Sequence, residues 1–120
     1  NPTDARPYYQ LGMIAYQMKD ADTAIRQYST AINLQPNFVD AHVGRGYVYH
    51  EIHRDYPRAI ADFDVALQLN PHNAQAYYYR GNAYVALGKH EQALADYDNA
   101  LAHQPTHILA QNARARVINR

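Results

Sequence analysis

Cysteine is absent from the 120 residues, which excludes disulfides, thiolate metal sites and cysteine nucleophiles. Tryptophan is absent as well, and phenylalanine occurs twice. Serine occurs once, at Ser29, which leaves little room for serine-based catalysis. Neither sign of charge is in surplus: eleven Lys plus Arg face eleven Asp plus Glu. That balance excludes a broad basic surface of the kind that grips nucleic acid or an acidic membrane. No apolar run approaches the roughly 18 residues that a membrane-spanning helix requires. The five glycines are scattered, so no loop of them can cradle a phosphate. What the chain has in excess is tyrosine, at twelve, and histidine, at seven.

Four of the six prolines, Pro2, Pro36, Pro71 and Pro105, are separated by 34, 35 and 34 residues. A fixed period in this range is the signature of a stacked repeat. Other columns fall into phase with it: Gly12, Gly46 and Gly81; Ala24, Ala59 and Ala93; Tyr28, Phe63 and Tyr97; Ala31, Ala66 and Ala100. Apolar and aromatic residues recur at helical spacing in both halves of each unit, as in Tyr8, Leu11, Ala15 and in Ala24, Ile25, Tyr28, Ala31, Ile32. Each unit therefore reads as two helices. The small columns mark close approach, and the aromatic one turn away fills the space beside them. Pro36, Pro71 and Pro105 stop the second helices. Asn37, Asn73 and Thr106 are expected to cap the helices that follow, and Asp20 (or Asp22) and Asp55 the second helices. Pro7 and Pro57 fall in first turns, where a missing N–H is harmless. The extra residue of the second unit is expected in the turn around His53–Asp55.

These columns resemble the tetratricopeptide repeat family. The stretch YYYRGNAYVALGKHEQALADYDNALAHQP (77–105) is close to its pattern, and the first unit carries it as Tyr8, Leu11, Gly12, Ala24, Tyr28, Ala31 and Pro36. Ala15 and His42 depart from it, standing where the family usually has an aromatic. The resemblance implies an all-α fold: a right-handed superhelix of about seven antiparallel helices with a concave groove. The units are placed at about 5–38, 39–73 and 74–107, with a capping helix at about 108–119 whose polar outer face suits a terminal element. Asn1-Pro2-Thr3 matches the ends of the later units, so residues 1–4 are expected to be the tail of a preceding repeat in a longer array.

Catalytic look-alikes dissolve on inspection. His50 and His53 are three apart, not the four that puts two zinc ligands on one helix face. His103 and His107 straddle Pro105 and cannot share a regular helix. No nucleophile, base and orienting group assemble, so neither a catalytic residue nor a metal or cofactor site is expected. A charge pattern carries more. Arg45 and Arg80 precede the packing glycines of units two and three, and Asp62 and Asp96 precede the aromatics of the second helices; unit one has Leu11 and Gln27 at these places. The two changes travel together, which predicts ion pairs Arg45–Asp62 and Arg80–Asp96 within each unit.

The first helices carry a second stripe at i, i+4, i+7: Tyr9, Met13, Tyr16; Val43, Tyr47, His50; Tyr78, Asn82, Val85. The cap adds Asn112 and Arg116, with Arg120 beyond. In the resembled family this face lines the groove, with Arg6, Gln17, Glu51 and Gln75 at its border. Tyrosine suits a binding surface because it offers large area, a polar tip and few rotatable bonds. The expected function is a non-enzymatic interaction scaffold that binds a peptide or helix of a protein partner in this tyrosine-rich groove. The alternatives are a homo-oligomerisation module of a longer repeat protein, or the accessory domain of an enzyme outside this segment. No nucleic acid and no membrane insertion are expected. The family's carboxylate clamp for chaperone tails uses Lys, Asn and Arg; its places here hold Tyr9, Met13, Gly44, Gln75 and Tyr79, so binding of that kind is not expected. The style of the units looks bacterial, and the expected compartment is the cytoplasm, with the periplasm as the alternative. Residues 99–120 carry Arg114, Arg116 and Arg120 and no acid, which gives the neutral chain a basic end.

Overall fold

The computed structural model describes residues 3–120, which form seven α-helices with no strand among them. They are α1 (Arg6–Gln17), α2 (Ala21–Leu34), α3 (Val39–Val48), α4 (Tyr56–Leu69), α5 (Ala74–Ala86), α6 (His90–His103) and α7 (Ile108–Ile118), with a π-helical turn at Tyr49–His53 extending α3. Short turns fold each helix back against the one before. The pairs stack into an all-α solenoid 49 × 25 × 21 Å in extent. The tail expected at Asn1 and Pro2 lies outside the described residues.

The small and aromatic columns form one packing device. Gly12 faces the Tyr28 ring, Gly46 faces Phe63 and Gly81 faces Tyr97; a Cβ at any of the three would meet a ring carbon at 2.7 Å. Ala24, Ala59 and Ala93 are fully buried, as are Ala31, Ala66 and Ala100, which lets the helix backbones approach. Burying one such ring supplies about 2–3 kcal/mol of transfer free energy. The core is a string of clusters, one per unit and seam, and the arrangement is that of a solenoid whose units contact only their neighbours.

The helix starts differ in part from expectation. Asp20, Asp55 and Asn73 each accept from the backbone N–H three residues on, at 3.2, 3.2 and 3.0 Å. Asn37 and Thr106 do not cap. The turn after each second helix closes with an N–H···O bond from the third residue beyond the last carbonyl, Phe38 to Gln35 and His107 to Gln104. This puts the cap one position later than proline spacing indicates. Phe38 therefore opens α3 without a side-chain cap, and His107 opens α7 with its Nδ1 accepting from Ala110 N–H at 3.1 Å.

The extra residue of the second unit lies inside the helix, not in the turn. The three turns inside the units share a left-handed residue, Lys19, Arg54 and Gly88, at φ 61°, 52° and 75°. The next N–H bonds back across each turn: Asp20 to Ala15, Lys89 to Tyr84, but Asp55 to Tyr49. The span is one residue longer in the second case. A π-helical turn is how a helix absorbs a single inserted residue while keeping both flanks in register.

Candidate functional site

The second stripe of the first helices builds a continuous row of rings. Tyr16 meets Tyr47 at a centroid distance of 5.4 Å, Tyr47 meets Tyr79 at 4.6 Å, and Tyr79 meets Tyr78 at 5.6 Å. Tyr78 continues to Tyr97 at 6.1 Å and to His107 at 4.9 Å. The row crosses every unit boundary. Edge-on and tilted pairs of this kind add about 0.5–1.5 kcal/mol each beyond area burial. Burial pushes the Tyr47 hydroxyl well above the ordinary phenol range, with the Tyr16 hydroxyl adding to it. Burial raises Tyr79 as well. These hydroxyls are therefore neutral hydrogen-bonding groups.

Beside the row lies a cavity of about 420 Å³ between α1, α3 and α5. Tyr9, Met13, Val43, Tyr47, Gln75 and Tyr79 line it. Gln75 Nε2 donates to the Tyr79 hydroxyl at 2.5 Å, fixing the far wall. Gly44 opens the floor. A Cβ there would meet Tyr28 Cζ at 2.7 Å, so the ring of Tyr28 occupies the space a larger residue would need. A contiguous cavity includes Arg6 with Tyr9, Met13 and Phe38. Arg6 is paired, bonding Asp4 at 3.0 and 2.7 Å, and this pairing holds the Asp4 carboxyl down at about 2. A third cavity gathers Tyr16, Gln17 and Glu51 with Ile52 and Arg54.

The remaining candidates divide. Asn82, Val85, Arg116 and Arg120 line a cavity of about 300 Å³ at the other end of the molecule, between α5, α6 and α7. Tyr78 is half-buried in the seam between α5 and α7, where its ring packs with Tyr97 and His107. His50 lines none of these cavities. The π-helical turn sets its ring against Tyr56 at 5.2 Å and its Nδ1 3.3 Å from Glu51. Asn112 is exposed on α7. Tyr79 belongs to the site although the stripe predicts Tyr78; its signal was its alignment with Gly44, one position from the stripe.

The two expected ion pairs are present and bidentate. Arg45 donates to Asp62 at 2.9 and 2.8 Å, and Arg80 to Asp96 at 2.9 and 2.7 Å. Each arginine also reaches across a seam, Arg45 to Ser29 at 3.1 Å and Arg80 to Asp64 at 2.8 Å. Arg114 makes the equivalent reach to Asp98 at 2.6 Å. Ser29, Asp64 and Asp98 each follow the column aromatic by one residue. Their part in the seam is not visible from positions within one unit, because each of these contacts joins two units. The Asp96 carboxyl is raised by burial, with Arg80 opposing it.

No group of three or more metal-ligating side chains occurs among the described residues. No helix among them is long and apolar enough to cross a membrane.

Comparison with known proteins matches a model described as tetratricopeptide repeat over residues 48–119, and one described as TPR repeat over 12–52. Serine/threonine-protein phosphatase T of Trypanosoma brucei brucei is 36% identical over 103 residues, 85% of this chain and 21% of that protein. A UDP-N-acetylglucosamine–peptide N-acetylglucosaminyltransferase of Giardia intestinalis is 37% identical over 76 residues, 63% of this chain and 5% of that protein. The chain thus spans about a fifth or less of these curated relatives. Among solved structures, the first TPR of Spaghetti (RPAP3) bound to the HSP90 peptide SRMEEVD superposes with a TM-score of 0.94. It is 25% identical, over 99% of this chain and 94% of that one.

Proposed function

The chain belongs to the tetratricopeptide repeat family, and from that premise we propose that its protein-interaction role is exercised in the tyrosine-rich cavity between α1, α3 and α5. The occupant is an extended or helical peptide of a partner protein, held by ring contacts and by side-chain hydrogen bonds. The observation that carries this is the row Tyr16–Tyr47–Tyr79 standing beside an open wall of Tyr9, Met13, Val43 and Gln75, with Asp40 the one charged residue of the lining. One structural neighbour holds an HSP90 peptide. In this chain the five clamp places hold no basic residue, and Tyr28 fills the space at Gly44. Clamp-type capture of such a tail is therefore not its mode. In this reading the segment acts as a scaffold.

The test compares partners captured by this chain with those captured by a Tyr9→Ala/Tyr16→Ala/Tyr47→Ala variant whose helicity and melting are checked first. Partners that survive unchanged in a folded variant would overturn the reading.

Two further readings have their own support. The curated relatives include a phosphatase and a glycosyltransferase of which the matching region is a minor part. That favours an accessory domain which presents partners to an enzyme elsewhere in a longer protein. Leu11 and Ile14 on α1 and Met18 at its carboxyl-terminal cap are 47%, 52% and 76% exposed. These side chains favour self-association, and light scattering that shows a monomer at every concentration would exclude it.

A further inference from the structure

The cavity between α5, α6 and α7 differs in chemistry from the tyrosine cavity. Its floor is apolar, made by Val85, Ala113 and Val117. Its rim is Arg116, Arg120, His90 and Asn82, and no acidic side chain lines it. Arg116 has no carboxylate within ion-pair distance among the described residues, in contrast to Arg45, Arg80 and Arg114. Arg120 spends one N–H on the Val117 carbonyl at 2.5 Å and has others left. The Tyr97 hydroxyl donates to Asn82 Oδ1 at 2.6 Å, which leaves the Asn82 amide N–H groups for another acceptor. The His90 Nδ1 is buried and has no hydrogen-bond partner.

The sequence around this cavity is biased the same way. Asp20 and Asp55 cap α2 and α4, but the equivalent residue before α6 is Lys89. Arg116 lies on α7 and Arg120 two residues beyond its end, and both line the cavity. Donors of one sign thus converge over an apolar floor, with the charge that would neutralise them missing. An unpaired group of cations beside apolar surface is matched by a carboxylate joined to an aliphatic side chain, because the carboxylate satisfies the guanidinium donors and the aliphatic group covers the floor.

We propose that this cavity is a second subsite, which takes an acidic residue together with a neighbouring aliphatic residue of the partner peptide. It rests on the reading of the molecule as a peptide-binding scaffold and deepens it. The partner would lie along the tyrosine row and end with a carboxylate on Arg116 and Arg120. This device differs from the family's clamp: it lies at the opposite end of the groove, on α7, and requires the aliphatic neighbour.

The test titrates the whole chain with N-acetyl-glutamyl-leucinamide and follows its backbone amides by NMR, at constant ionic strength with acetate as the reference. The expected result is saturable binding in the roughly millimolar range, with the largest shifts at Val85, Ala113, Arg116 and Val117. N-acetyl-glutaminyl-leucinamide and N-acetyl-glutamyl-glycinamide should each bind about tenfold more weakly. So should the variant Arg116→Gln/Arg120→Gln, whose side chains keep polar tips at two exposed positions and whose melting serves as the folding check. Shifts no larger than those of acetate, equal binding of the glutaminyl probe, or full binding by the double Gln variant would each overturn the subsite. Tyr47→Ala separates the two readings. It should leave this dipeptide's affinity unchanged even where it abolishes capture of partners, so loss of one signal without the other assigns the failure to one site.

Discussion

The Tyr28 ring lies between two glycines of different helices: a Cβ at Gly12 would meet its Cδ1 at 2.7 Å, and one at Gly44 its Cζ at 2.7 Å. One ring thus sets the spacing of α1 and α3, and with it the width of the tyrosine cavity. Gly44→Ala should destabilise the fold by about 1–3 kcal/mol through overpacking of a 3%-exposed ring. The measurement is thermal or urea unfolding. A variant as stable as the parent would show that α3 can shift freely and that Tyr28 does not gauge the cavity.

Arg80 and Arg114 should differ in weight. Arg80→Ala leaves Asp96, 3% exposed at its side chain, without its counter-charge, and should cost about 3 kcal/mol. Arg114→Ala removes a pair exposed on both sides and should cost less than about 1 kcal/mol. Replacing Arg80 and Asp96 together by Met and Leu should recover most of the Arg80→Ala loss. Chemical unfolding of the three variants checks the order.

The left-handed residues offer a gain. Lys19 and Arg54 adopt φ 61° and 52°, the conformation that Gly88 adopts at 75° in the third unit. Lys19→Gly and Arg54→Gly should each raise stability by up to about 1 kcal/mol, because a Cβ is disfavoured there. Gly88→Ala should lower it by a similar amount. Melting temperatures that move in the opposite sense would contradict the equivalence of the three turns.

Acid should release the amino-terminal ion pair only at low pH. Asp4 titrates at about 2, chiefly because its carboxylate accepts from the Arg6 side chain. Its pKa is depressed on folding, so its contribution is present above its unfolded value near 3.8 and fades as the pH falls through about 2. Carboxyl carbon NMR should find that low midpoint, and Arg6→Ala should return it toward 3.8. An unchanged midpoint would mean that the pair does not form in solution.

Much of this molecule could be read from a period of 34 residues, because repeated packing forces the same small and aromatic residues to recur. Gly12 with Tyr28, Gly46 with Phe63 and Gly81 with Tyr97 are contacts whose two halves are visible as columns. Arg45–Asp62 and Arg80–Asp96 were legible for the same reason, since each pair appears or disappears together. What escaped was set by three-dimensional register. Asn37 and Asn73 both follow a proline, yet they stand one residue apart in the turn, and only Asn73 reaches the first amides of the next helix. The inserted residue looked cheapest in a loop, but the turns keep the same left-handed residue at Lys19, Arg54 and Gly88, and the helix end at Tyr49–His53 took it. For the site, the stripe led to Tyr9, Met13, Val43 and Tyr47, while the row of rings added Tyr79. His50 turned away on the π-helical turn, which no periodicity encodes.

Arg45 and Arg80 each have one grip inside their own unit and another on the unit before. For Arg80 the two differ: Asp96 is sheltered, whereas Asp64 is 48% exposed at its side chain. Dissolved ions weaken exposed attractions long before sheltered ones. Ionic strength should therefore relax the two ionic joints, Arg80–Asp64 and Arg114–Asp98, while leaving each link intact, so that pitch and curvature become adjustable at constant fold. A spring whose stiffness answers to its solvent would present its tyrosine row along a straighter or a tighter arc without any helix unwinding.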